Sequence, residues 1–314
     1  MNDLSPLAVV GNVNVDLIMG PVAPWPRPGT EMIVDTSDLR YGGAAGNVAL
    51  AWRALGREFQ IAANTGRDAL GNWLRNGFAP HSEAWPVSDG STMISVGLTH
   101  PDSERTFFTT QGHVADLTWS DVRGTLDWTR LSGGTLLLCG TFVTDELTAD
   151  YDRLIDHARD KNIRVALDTG WPPGGWTTAT RNQVLGWLGR CDCLLLNEIE
   201  TRELSGSHAA EDALSVLLPL MPDNALVVIK CGSSGVVAAR RDLEILKVPA
   251  PPVEVSDTIG AGDIFNAAFL AIRADGRPLL ECLEVGVRTA AAAISTSPRR
   301  YGRDVEPSTQ GASA

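Results

Sequence analysis

Short, uninterrupted runs of aliphatic residues recur along the chain and alternate with amphipathic stretches. The runs predict β-strands at 7–11, 135–139, 163–168, 193–197 and 225–230. The stretches between them predict helices at 145–161, 183–189 and 209–220. Continuous apolar strands separated by such helices are typical of βαβ units, whose helices cover both faces of a parallel sheet. We therefore predict an α/β fold that binds its ligands at the carboxyl ends of the strands.

Segments 31–40 and 92–110 break this alternation, because each reads as strand of alternating polarity without an intervening helix. Either they form a small antiparallel sheet that stands off the main one as a lid over a substrate, or they extend an edge of the central sheet. Residues 1–307 are predicted to form one domain, since 314 residues suit a single large α/β domain. The polar residues 308–314 are predicted to be a disordered tail.

The chain is acidic, with 26 Lys and Arg against 38 Asp and Glu and a net charge of −12. This charge opposes binding to nucleic acid or anionic membranes unless basic residues are concentrated. The densest basic group, Arg299, Arg300 and Arg303, is short and is either a solvated tail or a local anion site. No apolar run approaches the roughly 20 residues that span a bilayer, and the first basic residue is Arg27, so we expect a cytoplasmic protein. The five scattered cysteines are expected to be buried thiols.

Residues 257–263 carry the clearest chemistry, with the sequence Asp-Thr-Ile-Gly-Ala-Gly-Asp ahead of an apolar, helix-like run. Small residues before a helix allow successive backbone N–H groups to converge on an anion, and the helix dipole adds to the attraction. Asp263 would lie in the first helical turn beside this anion hole, where its carboxylate could accept the proton of an attacking hydroxyl. A Gly-Ala-Gly turn followed by an acidic residue is also common as a purely structural helix start.

The whole heptad resembles the second signature of the ribokinase/PfkB carbohydrate kinase family, D-T-x-G-A-G-D, whose last aspartate is the catalytic base. The resemblance extends from residue 11 to about residue 307 with the motifs in the family's order. It implies a Rossmann-like (ribokinase-like) sheet with a small β-sheet lid, ATP as phosphoryl donor, magnesium as the required ion and a hydroxymethyl group as acceptor. It further implies Asp263 as the base, a nucleotide contact at Thr258, and an anion hole made by Gly260, Ala261 and Gly262.

Two more motifs resemble the acceptor-binding side of the family. Residues 41–49, Tyr-Gly-Gly-Ala-Ala-Gly-Asn-Val-Ala, resemble the first signature, and residues 11–16, Gly-Asn-Val-Asn-Val-Asp, resemble the first strand. Without the resemblance, the polar residues of the second motif would be read as turn formers at a strand end. With it, the implied acceptor contacts are Asn14, Asp16, Gly42, Gly43 and Asn47.

The nucleotide side is represented by two motifs. Asn197 and Glu200 resemble the family's N-x-x-E motif, which organises magnesium and phosphates largely through water. An Asn cap with Glu three residues later is also an ordinary helix start. Lys230, Gly232 and Gly235 resemble the K-x-G-x-x-G turn that approaches the nucleotide, and a plain hairpin turn is the alternative.

A monovalent cation site is implied beside the anion hole, because many members of the family bind potassium there. The corresponding oxygens belong to Asp257, Ile259 and the stretch 295–302. Such an ion would order the loop and strengthen its field. The resemblance favours potassium at Asp257, but Arg299 and Arg300 crowd the late stretch, so one guanidinium could replace the ion.

The acceptor is expected to be a small neutral sugar or a nucleoside. Ala44 stands where ribokinases commonly have a lysine, and the stretch from Asp168 lacks the Asn and Arg of the D-x-N-x-R motif found in kinases of ketodeoxygluconate type. An anionic acceptor normally needs such a cation. Arg105 in the predicted lid could supply one and is included among the acceptor-binding residues. Phe107 and Phe108 would allow a nucleobase to stack.

Other functions remain as alternatives. A kinase of a sugar phosphate or sugar acid would use a cation from the lid. A non-catalytic sugar sensor would be expected to lose its base, whereas Asp263 is present. A dinucleotide-dependent oxidoreductase would need G-x-G-x-x-G after the first strand, which residues 11–14 do not supply. A homodimer formed through the lid is included among the expected partners.

Overall fold

The computed structural model of the chain describes residues 4–101, 105–241, 243–297 and 299–301. Within these ranges the strands are β1 (Leu7–Val10), β2 (Asn14–Gly20), β3 (Thr36–Gly42), β4 (Gln60–Ala62), β5 (Thr65–Gly66), β6 (Val87–Ser88), β7 (Ile94–Thr99), β8 (Arg105–Thr109), β9 (Thr135–Leu138), β10 (Arg164–Leu167), β11 (Cys193–Asn197), β12 (Leu226–Lys230), β13 (Val236–Arg240) and β14 (Leu246–Val248). The helices are α1 (Ala44–Ala54), α2 (Ala69–Phe78), α3 (Trp119–Thr125), α4 (Asp145–Ala149), α5 (Tyr151–Asp160), α6 (Thr178–Leu188), α7 (Glu198–Ser205), α8 (Ala210–Leu217), α9 (Ala261–Ala274) and α10 (Leu279–Ile294).

The central sheet contains eight strands in the order β14-β13-β12-β11-β10-β9-β1-β4. The pairs from β12 to β4 are parallel, and β13 and β14 add an antiparallel edge. Helices connect successive parallel strands from β9 to β12, as the alternation of aliphatic and amphipathic segments predicts. The predicted α/β fold is confirmed, and the loops that follow β1, β9, β10 and β11 meet at one edge of the sheet.

Hydrophobic cores lie on both faces of this sheet. In β1, Val9 packs into one core together with Trp52 and Phe269, whereas Val10 packs into the other together with Tyr151. This alternation follows from the side-chain period of two in a strand. The fully apolar strands therefore signal burial on both sides, which is why they lack the alternating polarity of a half-exposed sheet.

The lid is a separate four-stranded sheet with the order β3-β2-β7-β8. This arrangement decides between the two predicted alternatives, because none of these strands pairs with the central sheet. Two details of the prediction were wrong. The strand predicted at 31–40 begins only at Thr36, and the motif at 11–16 does not belong to the first strand of the central sheet, since β1 ends at Val10 and Asn14 begins the lid strand β2.

Several predicted helix bounds differ from the observed ones. The helix predicted at 145–161 is divided into α4 and α5 at Asp150. The helix predicted at 183–189 begins earlier, because the Thr177 hydroxyl accepts a hydrogen bond from the backbone N–H of Thr180 at 3.1 Å and so caps α6. After Leu217 the chain tightens into a 3₁₀ turn that contains Pro219. The predicted tail at 308–314 lies outside the described residues.

All five cysteines are buried free thiols, as predicted. In the part of the chain that the structure describes, no helix combines the length and the apolar character needed to cross a bilayer.

Candidate active site

A cavity of about 940 Å³ separates the inner face of the lid from the carboxyl edge of the central sheet. Its walls include Asp16 from the lid strand β2, Asn47 from α1 and Asp263 from α9. Gly43 and Gly260, from the two glycine motifs, complete this part of the wall. The structure therefore brings together residues from three sequence motifs that are more than 200 positions apart at the extremes.

Asp263 lies in the first turn of α9, as the sequence predicts. Its Oδ2 accepts a hydrogen bond from Asn47 Nδ2 at 2.9 Å. Burial and the nearby Asp168 carboxylate raise the pKa of Asp263 to about 7, against the opposing effects of Asn47 and Lys230. A carboxylate with this pKa can accept a proton near neutral pH and is suited to act as a general base.

The N-terminus of α9 is built for close approach of an anion. Gly260 adopts φ +73°, and a Cβ at this position would lie 2.6 Å from Asn47 Nδ2, so only glycine fits. The backbone N–H of Ala261 donates to the Thr258 carbonyl at 3.1 Å. The next two amides, those of Gly262 and Asp263, belong to the first helical turn and have no acceptor within the helix. They carry the positive end of the helix dipole beside the carboxylate.

Polar side chains near the lid hinge form a directed chain of hydrogen bonds. Asn12 Nδ2 donates to Asn14 Oδ1 at 2.8 Å, and Asn14 Nδ2 donates to Asp16 Oδ1 at 2.8 Å. The double glycine fits closely around them, since a Cβ at Gly42 would collide with the Asp16 carboxyl group and a Cβ at Gly43 with Asn12. Burial is the main cause that raises the pKa of Asp16 to about 6. The chain fixes the carboxylate so that its oxygens can accept hydrogen bonds from sugar hydroxyls.

The cavity is also lined by aromatic and polar residues, of which the sequence analysis named only Phe107. The aromatic ones are Phe107 on β8, Phe142 after β9 and Trp171 after β10. Gln111 Nε2 donates to Asp145 Oδ2 at 2.6 Å in the same region. The described residues that line the cavity include three carboxylates, from Asp16, Asp145 and Asp263, and no Lys or Arg.

Arg105, predicted to bind the acceptor, is not among these lining residues. It pairs with Thr99 at the outer end of the β7–β8 hairpin, whereas the cavity is lined by Thr109 and Ser95 at the other end of the same two strands. Phe108 also lies apart from the cavity, because it is next to Phe107 and so projects from the opposite face of the sheet.

A buried ion pair lies behind the anion hole. Lys230 Nζ donates to Asp168 Oδ2 at 2.6 Å and to Asn266 Oδ1 at 3.3 Å, and Asn266 Nδ2 donates to the same Asp168 oxygen at 2.5 Å. Burial alone would lower the pKa of Lys230, but Asp168 and Glu200 raise it above its usual value. A Cβ at Gly262 would lie 3.4 Å from Lys230 Nζ, which places this ammonium group directly beneath the start of α9.

Both predicted nucleotide motifs have clear structural roles. Asn197 Oδ1 accepts from the Glu200 N–H at 2.9 Å, and Glu200 Oε2 accepts from the Asn197 N–H at 2.8 Å, so the pair forms the capping box of α7. Burial and Asp168 raise the pKa of Glu200 to about 7. Gly232 and Gly235 form the turn of the β12–β13 hairpin, with φ values of +51° and +96°. The two motifs thus form an ordinary helix start and a hairpin turn, and their contacts with a nucleotide stay predictions.

Asp257, the first residue of the heptad, is bound by two arginines. Arg40 Nη1 and Arg299 Nη2 each donate to Asp257 Oδ2 at 2.6 Å. Although burial opposes its ionisation, Arg299, the backbone N–H of Ile259 and Arg40 hold the pKa of Asp257 below its usual value. Of the oxygens predicted to coordinate potassium, those of Asp257 are therefore in contact with guanidinium groups.

A family model described as pfkB family carbohydrate kinase matches residues 5–302. The chain is 25% identical over 303 residues to a ribokinase of Haemophilus influenzae, over 93% of this chain and 92% of that protein. It is 23% identical over 297 residues to a 5-dehydro-2-deoxygluconokinase of Geobacillus thermodenitrificans, over 91% of this chain and 86% of that protein. The structure of adenosine kinase from Sinorhizobium meliloti matches with a TM-score of 0.79 at 21% identity, over 95% of this chain and 96% of that one. The chain therefore belongs to the pfkB family of carbohydrate kinases and is an ATP-dependent phosphotransferase.

Proposed function

We propose that the chain phosphorylates a hydroxymethyl group of a small neutral acceptor, a furanose sugar or a nucleoside, with Asp263 as general base. The single observation that carries this proposal is the placement of Asp263 in one cavity with Asn14, Asp16 and Asn47. A base at a helix N-terminus and a set of hydroxyl-binding groups then face the same space. This arrangement suits transfer of a phosphoryl group to a bound alcohol.

In the proposed reaction, Asp16 and Asn14 bind acceptor hydroxyls and direct the hydroxymethyl group to Asp263. Asp263 accepts the hydroxyl proton while the oxygen attacks the terminal phosphorus of ATP, and ADP leaves with the electron pair of the broken P–O bond. The amides of Gly262 and Asp263, the helix dipole and Lys230 below them stabilise the negative charge on the transferring group. The positive charge of Lys230 is held in place by Asp168 and Asn266.

Magnesium is proposed to bind at this site as a hydrated ion. Among the described residues no group of three or more His, Cys, Asp or Glu side chains could hold a metal directly. We propose that Glu200 contacts magnesium through water while the phosphates of ATP supply direct ligands, which matches the tendency of magnesium to keep several waters. The ion would neutralise phosphate charge. Asn197, Lys230, Gly232, Gly235 and Thr258 remain the proposed nucleotide contacts.

The charge of the cavity supports a neutral acceptor. Its described lining contains Asp16, Asp145 and Asp263 but no cationic side chain, so a phosphate or carboxylate on the acceptor would meet carboxylates without a lining cation to pair with. The alternative, a kinase of a sugar acid or sugar phosphate, would need a cation such as Arg105 to move into the cavity.

The direct test is ADP release with ATP and magnesium across ribose, fructose, several nucleosides, a ketodeoxy sugar acid and fructose phosphates at equal concentration. We expect the highest kcat/KM with a neutral acceptor. A phosphorylated or carboxylated acceptor that exceeds the best neutral one by about tenfold or more would contradict the charge argument, since tenfold corresponds to about 1.4 kcal/mol. ADP release with none of them above the rate without acceptor would contradict the proposed acceptor class.

We further propose a homodimer formed through the lid. On the lid face opposite the cavity, Leu39, Leu17, Val96 and Phe108 stand in one row across all four strands, and Leu39 and Phe108 are 52% and 55% exposed. An apolar row on a four-stranded sheet can be covered by the same row of a second copy. Light scattering of the wild type and of Phe108→Asp would show a dimer that the variant converts to monomer, and a wild-type monomer at micromolar concentration would contradict it.

A further inference from the structure

Asp257 holds the loop that leads into the anion hole. Its Oδ1 accepts a hydrogen bond from the Ile259 N–H at 2.9 Å, which fixes the turn before Gly260. The backbone N–H groups of Ser256 and Asp257 both donate to the carbonyl of Ile294 at the end of α10, at 2.7 and 3.1 Å. The position of the anion hole therefore depends on how firmly Asp257 is held.

Arg299 makes two hydrogen bonds to Asp257, whereas Arg40 makes one. Its Nη2 donates to the Asp257 side-chain Oδ2 at 2.6 Å and to the Asp257 backbone carbonyl at 3.2 Å. The Arg299 side chain is only 5% exposed. One guanidinium group thus binds both types of oxygen, carboxylate and carbonyl, that a potassium ion would need from this residue.

The same guanidinium group reaches toward the anion hole. A Cβ at Gly260 would lie 3.2 Å from Arg299 Nη1, so this nitrogen lies against the glycine that begins α9. Nε and Nη1 are buried, and among the described residues the guanidinium group also interacts with the side chain of Tyr301. Because Nη1 lies beside Gly260, the positive charge of Arg299 also acts at the loop that would receive the transferring phosphoryl group.

A potassium ion does not fit beside these two arginines. Arg40, from the lid strand β3, adds a second positive charge on Asp257 Oδ2 at 2.6 Å, and its side chain is 14% exposed. Arg40 and Arg299 already repel each other enough to contribute to lowering the pKa of Arg299, after the larger effect of burial. A third positive charge would have to displace one of the guanidinium groups and would gain only a carboxylate that they already neutralise.

We propose that the guanidinium group of Arg299 is a built-in replacement for a monovalent cation, so that the anion-hole loop is ordered and its field strengthened without potassium. Arg299 is then a positioning residue, which acts through Asp257 and Gly260. This inference rests on the proposed kinase function as far as catalysis is concerned. The ordering of the loop can be measured independently of any activity.

The test compares wild type with Arg299→Met, Arg299→Lys and the matched control Arg288→Met, which alters a 54% exposed arginine side chain on α10 away from the loop. Each is assayed for ADP release and for melting temperature in potassium, sodium and tetramethylammonium chloride at equal ionic strength. We expect the wild type and Arg288→Met to vary by less than about twofold among the three salts, with the same melting temperature in each. Arg299→Met should lose about tenfold to a hundredfold in kcat, with a smaller change in the KM for ATP.

The rescue pattern separates a positioned charge from simple packing. Arg299→Lys should retain most of the kcat that Arg299→Met loses. In potassium, but not in tetramethylammonium, Arg299→Met should regain activity and melt at a higher temperature. The proposal would be overturned if potassium raised both the activity and the melting temperature of the wild type. It would also be overturned if Arg299→Lys were as slow as Arg299→Met, or if Arg299→Met kept the wild-type kcat. If Arg299→Met does not fold, the wild-type salt comparison and Arg299→Lys still decide. If no tested acceptor is phosphorylated, the proposed acceptor class fails, while the salt dependence of the melting temperature still tests Arg299.

Discussion

Asn47 Nδ2 donates to Asp263 Oδ2 at 2.9 Å, although the two residues are 216 positions apart in the chain. Asn47 lies in the first turn of α1, directly after the lid strand β3, and Asp263 lies in the first turn of α9. The proposed base is therefore oriented by a residue whose helix begins directly after a strand of the lid. Closure of the lid over an acceptor would act on the position of this carboxylate through one hydrogen bond.

The first prediction concerns Asp263→Asn. The substitution keeps the size of the side chain and removes the proton acceptor, so turnover should fall by about 10²–10⁴-fold. Binding of ATP should change little, because the carboxylate acts on the acceptor hydroxyl. Steady-state ADP release and calorimetric titration with a non-hydrolysable ATP analogue measure the two quantities.

A matched control for this variant is Asp223→Asn, which alters a carboxylate with a side chain 86% exposed and paired with Arg241. It should retain wild-type turnover, since exposed ion pairs of this kind contribute little. Near-normal rates in Asp263→Asn itself would require a different base.

The second prediction concerns pH. The base must be ionised to act, and the pKa of Asp263 is raised to about 7, so kcat/KM should fall as the pH decreases through about 7. Asp168 is one of the causes of this increase, because its negative charge opposes a second one nearby. Asp168→Asn should therefore lower the pKa of Asp263 and move the acid limb of the profile to lower pH.

Asn47→Ala should have the opposite effect on the profile, since the hydrogen bond from Asn47 lowers the pKa of Asp263. Profiles of kcat/KM for wild type and both variants measure the shifts. If the two variants moved the acid limb in the same direction, Asp263 would not be the group that titrates.

The third prediction concerns the buried pair of Lys230 and Asp168, whose side chains are 14% and 11% exposed. Lys230→Met should lower the free energy of unfolding by about 3–5 kcal/mol, because it leaves a buried carboxylate without its counter-charge. The double variant Lys230→Met/Asp168→Leu should be less destabilised than the sum of the single variants. Urea unfolding of the four proteins measures this coupling, and strictly additive losses would show that the pair does not act as a unit.

The sequence predicts the fold class and much of the candidate site for a physical reason. Strands buried on both faces are continuous apolar runs, and the heptad at 257–263 combines glycines with an acidic first helical turn, so both leave a local pattern. Asp263 belongs to this heptad, whereas the roles of Asn47 and Asp16 were predicted only from the resemblance of residues 41–49 and 11–16 to family motifs. The structure places all three in one cavity.

Residues without a local pattern could not be predicted in this way. Asp168 and Lys230 are 62 positions apart, and Asn266 reads as one polar residue in an apolar helix, so their cluster depends on the order of β10, β12 and α9 in space. Arg40 became a neighbour of Asp257 only through the pairing of β3 with β2 and the position of the lid. Strand pairing also decides that Phe107 faces the cavity.

The last prediction distinguishes a nucleoside from a free sugar as acceptor. Trp171, 53% exposed, and Phe107, 46% exposed, line the cavity beyond the groups proposed to bind a sugar ring. Exposed aromatic faces at this place are suited to stack on a nucleobase, an interaction that contributes about 1–3 kcal/mol per base. If the acceptor is a nucleoside, Trp171→Ala should lower its kcat/KM by about tenfold, which corresponds to about 1.4 kcal/mol.

The same substitution should leave phosphorylation of free ribose nearly unchanged, because free ribose carries no base that could stack on Trp171. Phe108→Ala is the matched control, since Phe108 stacks on Trp25 on the lid face opposite the cavity, with ring centroids 6.3 Å apart. It should affect neither acceptor in the kcat/KM comparison. An equal loss for ribose and nucleoside in Trp171→Ala would mean that Trp171 shapes the loop after β10 rather than contacting a base, and a free sugar would then be the better assignment.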